Sequence, residues 1–273
     1  STRLAIELNP NFTNAHLNLG NILRDLGKLQ EAFDSYLKVI EIKPTTYNIY
    51  SSITRFLKDS DLLQLNKLKL KNILNILLKR NDVSHKELFK AFNFLYRNKI
   101  INNLGGLNSD SSKSELIIND KIIINSLKKI LICDLKLEEI LTKVRRDICN
   151  LIAHQRKYIN QSELQFVIAL GEQCFLNEYV YSLTEEEYIS TNIIISKCKE
   201  GEINETDISI LSCYYPLYTL LDQIPSLISF HSSNQSFREL IKLQITEPLK
   251  EIELSKNIKK LGSINDDVSQ KVK

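Results

Sequence analysis

Residues 14–44 read NAHLNLGNILRDLGKLQEAFDSYLKVIEIKP, and this stretch decides the fold. It closes on Pro44, and a matching proline, Pro10, stands 34 residues earlier. The approaches to the two prolines match as well: Ser1 aligns with Ser35, Ile6 with Ile40 and Glu7 with Glu41. Self-similarity at this period marks stacked helix pairs, in which each unit buries against its neighbour a face it cannot bury alone. Gly20 and Ala32 are small where two helices must approach closely. Gly27 ends one helix and turns the chain. Pro44 cannot continue the second helix, because it lacks a backbone N–H. The expected helices run from about Asn14 to Leu26 and from about Leu29 to Ile42.

Leu19, Gly20, Leu23, Gly27, Ala32, Tyr36 and Pro44 fall on the signature positions of the tetratricopeptide repeat, and the unit resembles that family. The resemblance covers residues 1–45, about one and a half repeats. Three or more repeats are usual for stability, so the expectation is a fragment opening, at Ser1, inside the second helix of an earlier repeat. The resemblance implies a concave groove lined by the first helix, here by Asn14, Leu17, Asn18, Asn21, Arg24 and Asp25. The implied partner is a protein or an extended peptide. Asn18 sits where a subset of the family, similar to the glycosyltransferase-linked arrays, places an asparagine ladder. Its amide can both donate to and accept from a peptide backbone. The plain alternative is a solvated polar face.

Composition narrows the classes. A chain of 273 residues has room for two helical sub-structures with a sizeable core. Hydrophobic content of 43% and charge of 25% are those of a soluble globular protein. A net charge of +3 is too small to argue for nucleic acid, and no apolar run reaches the length of a membrane span. The five cysteines are odd in number, widely spaced and without a CxxC, which reads as buried free thiols in a reducing cytoplasm. His16, His85, His154 and His231 are scattered, with no HExxH, so no metal site is expected. Cys149 lies five residues before His154, a spacing that does not pair them on one helix face.

Nearly every periodic segment downstream reads helical. Helices are expected over 46–58, 60–80, 120–134 and 137–158. Four capping boxes mark further starts: Ser84–Glu87, Ser162–Gln165 (opening a helix to about Tyr181), Thr184–Glu187 and Ser236–Glu239. Pro216, Pro225 and Pro248 are expected to break the remainder into short helices. LGGLNSDSSKS, residues 104–114, reads as a loop and the best internal boundary. The expectation is therefore all-α: a repeat hairpin at 1–45, helical continuation at 46–110, and an irregular multi-helix domain at 111–273. The lysines of residues 64–80 (Lys67, Lys69, Lys71 and Lys79, with Arg80) do not fall on one face, and no aromatic interleaves them for base stacking. They read as a solvated surface or as contacts for an acidic protein.

A second resemblance rests on FVIALGEQCFLNEYVYSLTEEE (166–187), LSCYYPLY (211–218), ITEPLKE (245–251) and the closing GSINDDVSQKVK. Together these are similar to the helical region between a tetratricopeptide array and an S-adenosylmethionine-dependent methyltransferase domain in certain bacterial proteins, over roughly residues 70–273. The resemblance implies an interaction and linker module that is itself non-catalytic. The sequence holds no glycine-rich strand-to-helix loop followed by a ribose-binding acid, and Gly105-Gly106 follow no strand. No methyltransferase residue transfers onto this chain, so it is expected to hold no cofactor. S-adenosylmethionine would belong to a domain beyond Lys273. A stand-alone scaffold is the alternative.

One polar cluster interrupts an otherwise apolar stretch: Glu172, Gln173, Asn177 and Glu178. At helical spacing Gln173 shares a face with Asn177, and Cys174 with Glu178. A buried carboxylate needs a partner, and Arg145, Arg146 and Lys157 are the candidates. The cluster reads as a pocket for a small ligand, as the site of a helical enzyme, or as a hydrogen-bond network locking one helix packing.

Overall fold

The computed structural model describes residues 2–46, 48–104, 111–155 and 159–256. Among these there is no strand, and helices make up the fold. The repeat comprises α1 (Thr2–Leu8), α2 (Thr13–Asp25) and α3 (Leu29–Ile42). The turn between α2 and α3 follows from Gly27, whose φ of 73° is open to glycine at no steric cost. The Lys28 N–H reaches the Leu23 carbonyl and the Gly27 N–H that of Arg24, both at 2.9 Å, so two carbonyls at the end of α2 are satisfied. Two turns of helix earlier, Gly20 lies against the Tyr36 ring. A Cβ at this position would stand 2.6 Å from Cε1 of that buried ring. Gly20→Val is therefore expected to destabilise the protein by about 1–3 kcal/mol, read as a lowered urea midpoint. An unchanged midpoint would mean that the ring shifts freely.

α4 (Ile49–Asp59) packs on α3, and Phe56 joins them, stacked on Phe33 and edge-on to Tyr36. The single helix expected over 60–80 is broken. A 3-10 turn, Leu62–Gln64, precedes α5 (Lys67–Leu78), and Asn66 caps α5 by accepting from the Lys69 N–H at 3.0 Å. Asp61 competes for the local N–H groups in the same way, accepting from Leu63. The basic residues here are dispersed: Lys69 pairs with Asp34 at 2.7 Å, Lys67 lies over Phe94, and Arg80 binds Asp82 while covering the Tyr50 ring at 3.6 Å.

α6 (Phe89–Leu104), α7 (Ser111–Ile118), α8 (Lys121–Lys129) and α9 (Leu135–Gln155) follow. The loop expected over 104–114 falls largely on residues 105–110, outside the described residues, and Ser111 already opens α7. α10 (Gln161–Leu176) is the axis of the second half, apolar nearly all round and packed on α7, α8, α9, α12 (Glu205–Leu211) and α13 (Gln235–Ile241). α11 (Glu185–Lys199) packs on α9 and α12. The buried apolar side chains form one contiguous cluster from Leu23 to Ile245.

Of the four capping boxes only Thr184–Glu187 forms as read. The Ser84 side chain makes no cap bond, and Glu87 turns to Lys58 instead. Asn160–Glu163, not Ser162–Gln165, caps α10, and Asn234 rather than Ser236 caps α13. In both places an asparagine two residues upstream takes the N–H groups first. Pro216 and Pro225 border 3-10 turns as expected, but Pro248 does not end its helix. The chain stays helical from Gln235 to Lys256 by widening into a π turn at Lys242–Thr246, before α14 (Glu247–Lys256). The Glu247 N–H reaches back five residues to the Lys242 carbonyl, which makes room for a proline that would otherwise clash with the carbonyl of Gln244.

Candidate functional site

On the repeat, α2 presents the predicted groove residues, but not as six equivalent contacts. Asn14 and Asn18 are exposed and bond to no other group among the described residues. Leu17 is half-buried. The Asn21 side-chain oxygen accepts from the Tyr36 hydroxyl at 2.9 Å, so it fixes α2 to α3. Arg24 and Asp25 pair with each other at 2.9 Å, and both remain exposed. Asn14 and Asn18 are thus the side chains of this face whose whole amide stays free among the described residues.

The second predicted cluster lies at the C-terminal end of α10, where the structure takes it apart. The helix stops at Leu176 rather than at Tyr181, and Asn177 is its C-cap. Glu178 and Tyr179 follow with φ of 56° and 58°, two consecutive non-glycine residues in the left-handed region. Such residues cost about 1–3 kcal/mol each and persist only where their surroundings over-determine them. Tyr179 is held at both ends. Its N–H donates to the Cys174 carbonyl at 2.8 Å, and its hydroxyl donates to the Ser212 carbonyl and to Gln244 Oε1 at 3.3 and 3.2 Å. The left-handed pair ends the 3.6-residue register, so Glu178 is exposed rather than facing along α10 with Cys174.

Gln173 is fully buried and structural. With its amide nitrogen facing the end of α8, it donates to the carbonyls of Ile130 and Leu127 at 2.8 and 2.9 Å. Asn177 is buried, and its side-chain amide has no hydrogen-bond partner among the described residues. Glu172 is also buried, and its partner is not one of the predicted cations. Lys128 of α8 stands 3.1 Å from Oε1 and 3.7 Å from Glu239. Burial pushes the Glu172 carboxyl above the usual glutamate range, and Lys128 offsets only part of that. Glu172 and Glu178 line one cleft, whereas Gln173 and Asn177 do not border it.

Arg145 and Arg146 serve a different acid, and Lys157 lies outside the described residues. Glu187, fully buried at the start of α11, accepts from Arg145 at 3.0 Å and from the Tyr214 hydroxyl at 3.0 Å. Its other oxygen accepts from the Thr184 N–H at 2.9 Å and lies 3.4 Å from Arg146. Burial alone would raise this carboxyl. The Thr184 N–H, Arg145 and Tyr214 outweigh it and hold the group below the ordinary range. The sequence marked Glu187 only as half of a capping box. Nothing in its spacing pointed to Arg145, 42 residues away.

Gln244 was not anticipated either. Its amide nitrogen donates to the carbonyls of Gly171 and Ser212, and its oxygen accepts from the Leu217 N–H and from Tyr179. Four of the five cysteines are buried, and burial raises the Cys149 and Cys198 thiols to about 12, so neither is poised as a nucleophile. Cys133 departs from the sequence reading in being exposed. His154 bonds to Ser190 Oγ at 3.1 Å. Among the described residues no helix is long and apolar enough to cross a membrane.

The architecture around α2 and α3 is that of a helical-repeat protein: a tight antiparallel pair, a glycine at the crossing, a proline at the exit. Residues 13–46 match the family model of the tetratricopeptide repeat, whose members are protein-interaction scaffolds. No curated protein and no solved structure matches the chain.

Proposed function

We propose that the chain is a non-catalytic interaction and linker module. The α2 face takes an extended segment of a partner protein, and the helical body behind it sets the orientation of a methyltransferase-like domain. The observation that carries the first half is the pair Asn14 and Asn18: exposed, one helical turn apart, and bonded to nothing else among the described residues. Amides so placed are free to grip a peptide backbone. The second half rests on the likeness of residues 70–273 to the helical region of bacterial repeat-containing methyltransferases. It is tested by reading the coding sequence after Lys273. A glycine-rich cofactor domain is expected there, and a stop codon would leave a scaffold without an enzyme.

The groove is tested by selecting peptides from a displayed library on the wild-type protein and measuring their binding to Asn14→Ala/Asn18→Ala. Both positions are solvated, so stability should stay within about 0.5 kcal/mol. Affinity for the selected peptides should fall by about tenfold, as expected when two backbone-directed hydrogen bonds are lost. Equal affinity in the variant would remove the α2 face from the interaction.

A further inference from the structure

α11 carries its polarity the wrong way round for a helix at a protein surface. Its inward face holds Glu187, Ser190 and Thr191, all fully buried, whereas Tyr188, Ile189 and Ile193 stand outward at 54, 52 and 38% exposure. Amphipathic surface helices turn their apolar side chains inward. The buried polar groups are occupied within the fold: Glu187 by Arg145 and Tyr214, Ser190 by Asn150 and His154, Thr191 by Tyr215. These bonds fix the orientation of the helix on α9 and α12 and leave three large apolar side chains, with Leu183 just before them in the chain, in water. An apolar patch rimmed by polar residues marks a protein contact.

The polar groups of the outward face determine what covers it. Glu185, Asn192 and Lys199 are spaced seven residues apart, so they share one side of the helix. Glu186 and Glu200 fall to the flank of this row. Glu185 and Lys199 are exposed, Asn192 is half-buried, and the three side chains bond to no other group among the described residues. An acid, an amide and a base at equal spacing are complementary to their own reverse. In a second α11 laid antiparallel, Glu185 of each copy meets Lys199 of the other. The two Asn192 amides meet at the two-fold axis, each with a donor and an acceptor to offer. Ile189 and Ile193 flank this centre, and Tyr188 lies opposite the small Ser196. A parallel copy would instead set acid on acid and base on base, which is repulsive. An asparagine in an apolar seam is a known device for fixing the register of paired helices.

We infer that the outward face of α11 joins two copies of this chain, helix against helix and antiparallel about Asn192. Sedimentation equilibrium of the purified chain between about 1 and 300 µM is expected to show a reversible monomer–dimer equilibrium, since a contact of one helix per copy lies at the small and weak end of specific interfaces. Ile189→Glu sets a charge at the centre of the contact in a position that is already half exposed. It should leave the urea midpoint in place and raise the dissociation constant about a hundredfold or more. Glu185→Lys and Lys199→Glu should each raise it about tenfold, because the symmetry turns two attractive pairs into repulsive ones at once. The double reversal Glu185→Lys/Lys199→Glu should return it to near the wild-type value, which only a self-complementary antiparallel contact explains. Lys71→Glu, an exposed reversal on α5, should change nothing. A monomer at every concentration would overturn the proposal and leave the face to a different protein. So would a dimer that Ile189→Glu does not weaken, or two charge reversals that add instead of cancelling.

Discussion

Glu187→Gln should lower the stability of the protein by about 3–5 kcal/mol, because it leaves the Arg145 guanidinium buried without its counter-charge. Glu187 is fully buried, Arg145 is 3% exposed, and the two meet at 3.0 Å, so solvent does little to screen the pair. Glutamine keeps the shape of the side chain but has one acceptor oxygen, so it can accept from Thr184 or from Tyr214 and Arg145, not from both sides. The loss therefore reports the charge together with the hydrogen bonds on one side of the carboxylate, not the packing. Urea unfolding followed by far-ultraviolet circular dichroism at neutral pH measures it. A loss below about 1 kcal/mol would place this network with the weak, solvated pairs.

The same group fixes a pH dependence. The Glu187 carboxyl in the folded protein lies below the ordinary value of 4.5. Its stabilising contribution is fully present above that value and is lost as pH falls through the lowered folded value. The gap between wild type and Glu187→Gln should narrow as the solution is acidified below about 4.5. Glu172 has the opposite sign. Its carboxyl is raised by burial, so its contribution is present below the ordinary glutamate value and lost as pH rises through the raised folded value. A gap that stayed constant on acidification would show that the charge on Glu187 contributes nothing.

The repeat was legible because its constraints are local. Gly20, Gly27, Ala32 and Pro44 each act within one turn or one helix crossing, and their spacing alone sets the positions of α2 and α3. The all-helical class was legible for the same reason. The polar cluster was only half legible. Glu172 and Glu178 do share a cleft, but their partners were misjudged. Sequence reasoning could extend α10 by helical periodicity, yet it could not foresee two left-handed residues at Glu178 and Tyr179, which are fixed by Gln244 from more than sixty residues away. Gln244 in turn reaches that place through a π turn that accommodates Pro248. Arg145 was one of three candidate partners for the cluster's carboxylates because it lies on the preceding helix, and its partner, Glu187, is set by how α9 packs on α11. Caps failed where an asparagine lay just upstream of the serine, a competition that propensity does not rank. Long-range polar contacts in an all-helical fold leave no periodic trace, so they are the part that must be seen.

Phe56→Ala should cost about 3–5 kcal/mol, as for other buried aromatic side chains reduced to alanine. Phe56 is 2% exposed and joins the repeat to the helices behind it, with its ring 5.9 Å from that of Phe33 and 5.4 Å from that of Tyr36. The matched control is Tyr36→Phe, which keeps the ring contact but removes the hydroxyl that donates to Asn21, a loss of about 1 kcal/mol. If the two variants lost stability equally, the joint would rest on the α2–α3 hydrogen bond rather than on the aromatic packing. Native-state hydrogen exchange then tells where the loss is felt. The contiguous core predicts that Phe56→Ala weakens protection in α10 as well as in α2 and α3, because the buried cluster runs unbroken through Phe56 to the second half. Protection lost in α1 to α4 alone would make the repeat a separately opening unit. An interaction face on such a unit could yield to a partner without disturbing the helical body, whereas a face on one cooperative unit would carry the strain of binding through to α10 and the cleft beside it.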